Sequence, residues 1–170
     1  MHEAMRTLSR LEKTLFRLQA QHACMDWLFE QIRNRPGVVA ELGLGHGRTF
    51  DHLKRHLPER EIYVFDFAND AYADCQPDPD FLILGDIAET FPAALARFAG
   101  RVALANSDIG SFDRERNVAS AALASRLLPE AMAPGGFIMS DLPLTLPGFI
   151  TLPLPPGARE GRYYLYQRPL

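Results

Sequence analysis

The sequence predicts an α/β protein: a doubly wound, mostly parallel sheet with an N-terminal helical extension. Three observations carry this. Short apolar, β-branched runs alternate with segments of helical periodicity, the pattern of βα units whose strands are covered on both faces. The run Val38-Val39-Ala40-Glu41-Leu42 leads into three glycines at alternate positions, Gly43, Gly45 and Gly47, and a helical pattern resumes at once. Carboxylates stand where the runs end, at Glu41, Asp66, Asp86, Asp108 and Asp141. In open α/β sheets the carboxyl ends of the strands border the ligand crevice, so acids gathered there read as a site.

The chain of 170 residues is expected to form one domain, with residues 1–35 a helical segment and 36–170 the α/β core. A net charge of -3 gives no basic footprint for nucleic acid or anionic membrane, and neither is expected as a partner. No apolar run approaches the roughly 20 residues of a spanning helix, and the N-terminus lacks a signal peptide's apolar segment. Cys24 and Cys75 lie in different segments without metal-type spacing. They imply reduced thiols in a cytoplasmic protein. Self-association as a homo-oligomer is left open.

From Met5 to Asn34 the periodicity is helical. Leu8, Leu11, Leu15 and Leu18 recur at three- and four-residue steps, and Cys24, Trp27, Leu28 and Ile32 continue the apolar stripe. Trp27 and Phe16 are expected in the core. Arg35-Pro36-Gly37 stops the helix. After the glycine turn, Thr49–Leu57 reads as the first crossover helix and Glu61–Asp66 as strand two. A short helix is expected over Asn69–Cys75, then strand three over Phe81–Asp86. Phe91–Ala99 follows as a helix with Pro92 in its first turn and Gly100 as its cap. Arg101–Asp108 is strand four, and Asp113–Met132 a long amphipathic helix buried through Leu123, Leu127 and Leu128. Pro134-Gly135-Gly136 is expected to reverse the chain into a strand ending at Ser140-Asp141. The proline-rich tail leaves room for a short strand over Phe149–Leu152 and a last one over Arg162–Arg168.

The glycine turn narrows the ligand. A dinucleotide fingerprint needs Gly-x-Gly-x-x-Gly, and its third glycine would fall on Arg48. The spacing here is Gly-x-Gly-x-Gly, preceded by Glu41. That pattern resembles the first motif of class I S-adenosylmethionine-dependent methyltransferases, and the Pro-Gly-Gly turn before a strand ending in Ser-Asp resembles their fifth strand. The resemblance covers residues from Val38 to the C-terminus and implies a Rossmann-like, seven-stranded sheet whose last strand lies antiparallel between two others. It implies S-adenosyl-L-methionine as cofactor, with Glu41 near the methionyl amino group and Gly43, Leu44, Gly45, His46 and Gly47 under the methionine and ribose. Asp66, about twenty residues past the glycines, stands where this fold places the acid for ribose hydroxyls; Phe67 adjoins it. The alternative for Asp66 is a helix cap. Asp86 and Ile87 resemble the third motif, which holds adenine, although Glu89 three residues on also fits a capping box. Asp108 would border the methyl group. The family's N-terminal helices often cover the cofactor, an alternative role for the first helix.

Methyl transfer from a sulfonium is an in-line displacement dominated by alignment and desolvation. A base is needed only where the acceptor loses a proton. Asp108, Asp141 and His46 are candidates, with Asp108 and Asp141 the catalytic residues expected. In catechol-type members, acids at these two strand ends hold magnesium, with an Asn immediately after the second. Leu142 stands there instead, so metal independence is expected. The expected acceptor is a small molecule. Two other readings compete: an NAD-dependent oxidoreductase, disfavoured by the glycine spacing, and a non-catalytic domain that keeps the fold.

Overall fold

Each apolar run of the sequence becomes a strand of one sheet. The computed structural model describes residues 7–170. The elements are α1 (Arg10–Ile32), β1 (Val38–Leu42), α2 (Arg48–His56), β2 (Ile62–Asp66), β3 (Leu82–Leu84), α3 (Ile87–Ala94), β4 (Val102–Ser107), α4 (Arg114–Ala131), β5 (Met132–Ser140), β6 (Ile150–Leu152) and β7 (Tyr164–Gln167). The sheet runs β3-β2-β1-β4-β5-β7-β6. Strands β1 to β5 pair in parallel, and β7 lies antiparallel between β5 and β6. The strand order turns back between β1 and β4, the switch point where such sheets open a crevice.

Alternating strand residues feed two cores. Val39, Val64, Leu104 and Phe137 pack under α1 and α2, against Cys24, Leu28, Ile32, Phe50 and Leu53. Ala40, Phe65, Ala105 and Ile138 face α3 and α4, against Phe91, Phe98, Leu127 and Leu128. No helix among the described residues is long and apolar enough to cross a membrane.

Four expectations change. The proposed start of the first helix at Met5 lies outside the described residues; α1 is capped by Ser9, whose hydroxyl accepts from the Glu12 amide while Glu12 reaches back to the Ser9 amide. Its early leucines are not buried: Leu11 is 79% exposed, Leu15 48% and Leu18 43%. The reason is length. Twenty-three residues make a helix of about 34 Å, whereas the five-residue β1 spans about 17 Å. Only the second half of α1, from Ala20, has sheet beneath it. Trp27 does pack there, edge-on to Phe137, while Phe16 is half-buried under the Arg159 guanidinium.

The helix expected over Asn69–Cys75 shrinks to one turn at Ala73–Cys75. The Asn69 side chain accepts from the Ala71 amide and donates to Gln76, competing with helix hydrogen bonds. Helix α3 starts four residues earlier than expected because Asp86 caps it, accepting from the Ala88 amide at 3.0 Å. Pro92 therefore falls in its second turn, and the α-helix ends at Ala94. Finally, Pro-Gly-Gly does not reverse the chain. Met132 already has strand geometry (ψ 136°), and the turn is a bulge: Val102 faces Met132, but Leu104 faces Phe137.

Candidate cofactor and acceptor site

All three glycines after β1 have positive φ, as a tight strand-to-helix turn requires. Their surroundings differ. A Cβ on Gly43 would sit 2.4 Å from the Asp108 carbonyl oxygen, and one on Gly47 2.8 Å from Cys75. Those two glycines let neighbouring chain pack closely. Gly45 alone faces open space, with nothing within 4 Å of a Cβ, so it is where a ligand can approach bare backbone. A cavity opens there, lined by Gly43, Leu44, Gly45, His46, Arg48, Thr49 and Asp108, and closed from above by Arg17, Leu18 and Gln21. The overhanging half of α1 is thus a cover for the strand-end crevice.

Glu41 lies under this turn with no exposure. One carboxyl oxygen accepts from the Thr49 hydroxyl and, at 3.4 Å, from the Asn106 amide; the other has no partner. Burial pushes its pKa up to about 8, against the opposing pull of those two hydrogen bonds. A buried carboxyl with a free oxygen matches an incoming cation.

Asp66 is held differently. One oxygen accepts from the amides of Leu44 (2.7 Å) and Gly45 (3.2 Å), the other from Phe67 (2.7 Å). It caps no helix; it ties the glycine turn to β2. Beyond it, Phe67 (69%) and Leu84 (47%) expose apolar surface at the ends of β2 and β3. Ile87 is buried in the α3 core at 6%, and Asp86 is spent as the cap of α3. His46 stacks on Tyr72, with ring centroids 5.0 Å apart, and Arg48 donates to the Tyr72 hydroxyl.

Across the switch point, Asp108 and Asp141 come together. Asp108 accepts from the Gln21 amide at 3.2 Å, and Asp141 from the Gly110 amide at 2.8 Å. Asp141 keeps its other oxygen unpartnered. Burial, then the neighbouring Asp108 charge, pushes the Asp141 carboxyl up to about 7. Tyr163 closes the cluster, 1% exposed with its hydroxyl unpartnered. Its pKa is raised by burial and by Asp108, with Arg17 opposing.

Residues 8–168 match the model of a family described as S-adenosyl-L-methionine methyltransferase. The chain belongs to this family. A crystal structure of an S-adenosyl-L-methionine methyl transferase from Silicibacter pomeroyi DSS-3 is 42% identical, with a TM-score of 0.90 over 95% of this chain and 99% of that one. MycE, from the mycinamycin biosynthetic pathway and crystallised with Mg, S-adenosylhomocysteine and mycinamycin VI, is 16% identical, with a TM-score of 0.59 over 92% of this chain and 48% of that one. The antibiotic-resistance methyltransferase Kmr is 11% identical, with a TM-score of 0.54 over 100% and 97%. The last two share the fold. No curated protein sequence matches. The chain is an S-adenosylmethionine-dependent methyltransferase, which removes the oxidoreductase and non-catalytic readings.

In this methyltransferase the structure brings Glu41, Gly43, Leu44, Gly45, His46, Asp66 and Asp108 around one crevice, with Asp141 behind Asp108. It sets Ile87 and the Gly47 backbone apart from that surface. Sequence reasoning missed Arg17, Gln21, Thr49, Leu84 and Tyr163; Asn106, read as able to reach the cleft beside the two acids, donates to Glu41 instead. A polar Gln at the buried level of an otherwise apolar helix face was the one available signal for Gln21. Arg17 and Tyr163 become neighbours of the crevice only when α1 and β7 dock on it.

Proposed function

We propose that this methyltransferase binds S-adenosyl-L-methionine along the ends of β1, β2 and β3 and transfers the methyl group to a proton-bearing small molecule at the ends of β4 and β5. The observation that carries this is the cavity over Gly45, with buried Glu41 below it and the Asp108–Asp141 pair at its back. At about 210 Å³ it is smaller than the ~300–1,000 Å³ of pockets that enclose whole ligands. It suits the methionyl end. Glu41 would receive the ammonium, Arg17 or Arg48 the carboxylate, Asp66 the ribose hydroxyls, and Phe67 with Leu84 the adenine face. Ile87 and Asp86 support that end through α3.

Displacement at sulfonium needs the acceptor atom aligned behind the methyl and free of its proton. Asp141, with a pKa near neutrality, suits a general base, and Asp108 positions it while taking the Gln21 amide. Neither oxygen pair is arranged with a third oxygen ligand after it, since Leu142 follows Asp141, which supports metal independence. The acidic chain supports neither nucleic acid nor membrane as partner. Buried free thiols at Cys24 and Cys75 suit a cytoplasmic setting.

Calorimetry tests the first half. S-adenosylhomocysteine should bind in the micromolar range, worth roughly 8 kcal/mol, and NADH should give no heat. The reverse result would sink the assignment of the cleft. Turnover on any acceptor found from a small-molecule panel should survive EDTA; a loss restored by magnesium would make the acid pair a metal site.

A further inference from the structure

A second cluster lies on the seam between α1 and α2, away from the crevice lining. His22 and Asp26 stand one turn apart on α1, and His52 on α2 faces them. His22 Nδ1 lies 3.5 Å from one Asp26 oxygen and His52 Nε2 lies 3.4 Å from the other. One ligand atom of each residue falls within 4.8 Å of the other two. The His22 and His52 ring centroids are 5.3 Å apart. His56, one turn on from His52, packs its ring at 4.4 Å from that of His52 and stacks on Phe29. Three of the chain's five histidines thus meet at one seam.

Asp26 meets both imidazoles, one on each oxygen, with a long hydrogen bond to His52 at 3.4 Å. The carboxylate thus already faces two ring nitrogens from two helices, and the three ligand atoms are close enough to converge on one ion with small side-chain adjustment. The side chains are 65%, 48% and 26% exposed for His22, Asp26 and His52, so an ion can enter from solvent and water can complete its coordination. Two imidazoles and a carboxylate suit zinc and its neighbours, not magnesium or calcium.

We propose that His22, Asp26 and His52 form a divalent transition-metal site of the zinc class that fastens α1 to α2. The fastening matters because α1 carries Arg17, Leu18 and Gln21 over the crevice, while α2 carries Thr49 under it. Gln21 is next in sequence to His22, so a metal at the seam would fix the helix within one residue of its contact to Asp108. An ion that binds only the folded chain also raises its stability by mass action.

The test uses the full chain, stripped of metal by a chelator and free of cofactor. Zinc chloride titrated by calorimetry should show one ion per chain with micromolar affinity, and the melting temperature should rise with zinc. Cobalt(II) should give the intense visible absorption of a four-coordinate ion. His22→Ala, His52→Ala and Asp26→Asn should each weaken zinc binding by at least about tenfold and lose the cobalt spectrum. His56→Ala should keep both. Circular dichroism of each variant without zinc should match the parent. Zinc binding undiminished in His52→Ala, or no binding heat in the parent at zinc concentrations well above micromolar, would overturn the site.

Discussion

Asp66 and Asp141 stand at matching places on the two sides of the switch point, at the ends of β2 and β5, yet the fold uses them in opposite ways. Asp66 is met by three backbone N–H donors from the glycine turn and its own neighbour. Asp141 is met by one, from Gly110, and by a second acid. Donors hold a carboxylate charged and still, whereas a neighbouring acid in a dry place favours a shared proton. The same residue type is therefore an anchor of the glycine turn on one side and, in the proposed mechanism, the proton acceptor on the other. What decides is the number of N–H groups that the adjacent loop turns toward it.

The sharpest way to break this comparison is Asp141→Asn. Removing the base should lower kcat roughly 10²- to 10⁴-fold while leaving S-adenosylhomocysteine affinity unchanged. In the parent, kcat/KM should rise as pH passes about 7, where the carboxyl loses its proton, and the variant should lose that limb. Cofactor affinity falling along with rate would merge the two halves and refute the division.

Glu41 gives a second contrast, because it is buried without enough donors. Its folded pKa of about 8 lies above the 4.5 of an ordinary glutamate, so the folded chain holds the proton more tightly than the unfolded one. Stability from this group is present below about pH 4.5 and lost as pH rises through about 8. The cofactor-free protein should lose up to about 5 kcal/mol over that window, read as a falling calorimetric melting temperature. Glu41→Gln should remove most of the slope, leaving the smaller contribution of Asp141 in the same direction. An unchanged slope would mean that Glu41 is charged in the free protein.

Asp66→Ala should weaken S-adenosylhomocysteine binding by about 1.5–3 kcal/mol. It should also lower stability, since three amides lose their acceptor. A melting shift without an affinity change would make Asp66 a turn anchor alone. The smallest effect belongs to the cover: Gln21→Ala, losing one partly exposed bond to Asp108, should cost about 1 kcal/mol of cofactor affinity. No change would place α1 outside the binding event.

How much of this could be read in advance depends on the range of the interaction. The strands, the three positive-φ glycines and the strand-end acids were legible, because periodicity, φ and residue type are local properties; the antiparallel last strand was implied only by the family resemblance. The exposure of Leu11, Leu15 and Leu18 was not legible for a related reason: helical periodicity records which face is apolar, but not where the sheet beneath it stops. Asp86 showed both its possible roles in sequence, and only its hydrogen bond from the Ala88 amide made the cap the visible one. The pairing of Asp108 with Asp141, 33 residues apart in the chain, was legible only through the family resemblance, and the arrival of Gln21 and Tyr163 beside them was invisible. By itself, then, the sequence determined the sheet, its turn and its set of acids, since each follows from short stretches of chain. The tertiary structure alone decided which acid is anchored, which is buried beside another acid and which helix covers them, because burial and hydrogen-bond donors arrive from elements that meet only when the sheet is assembled.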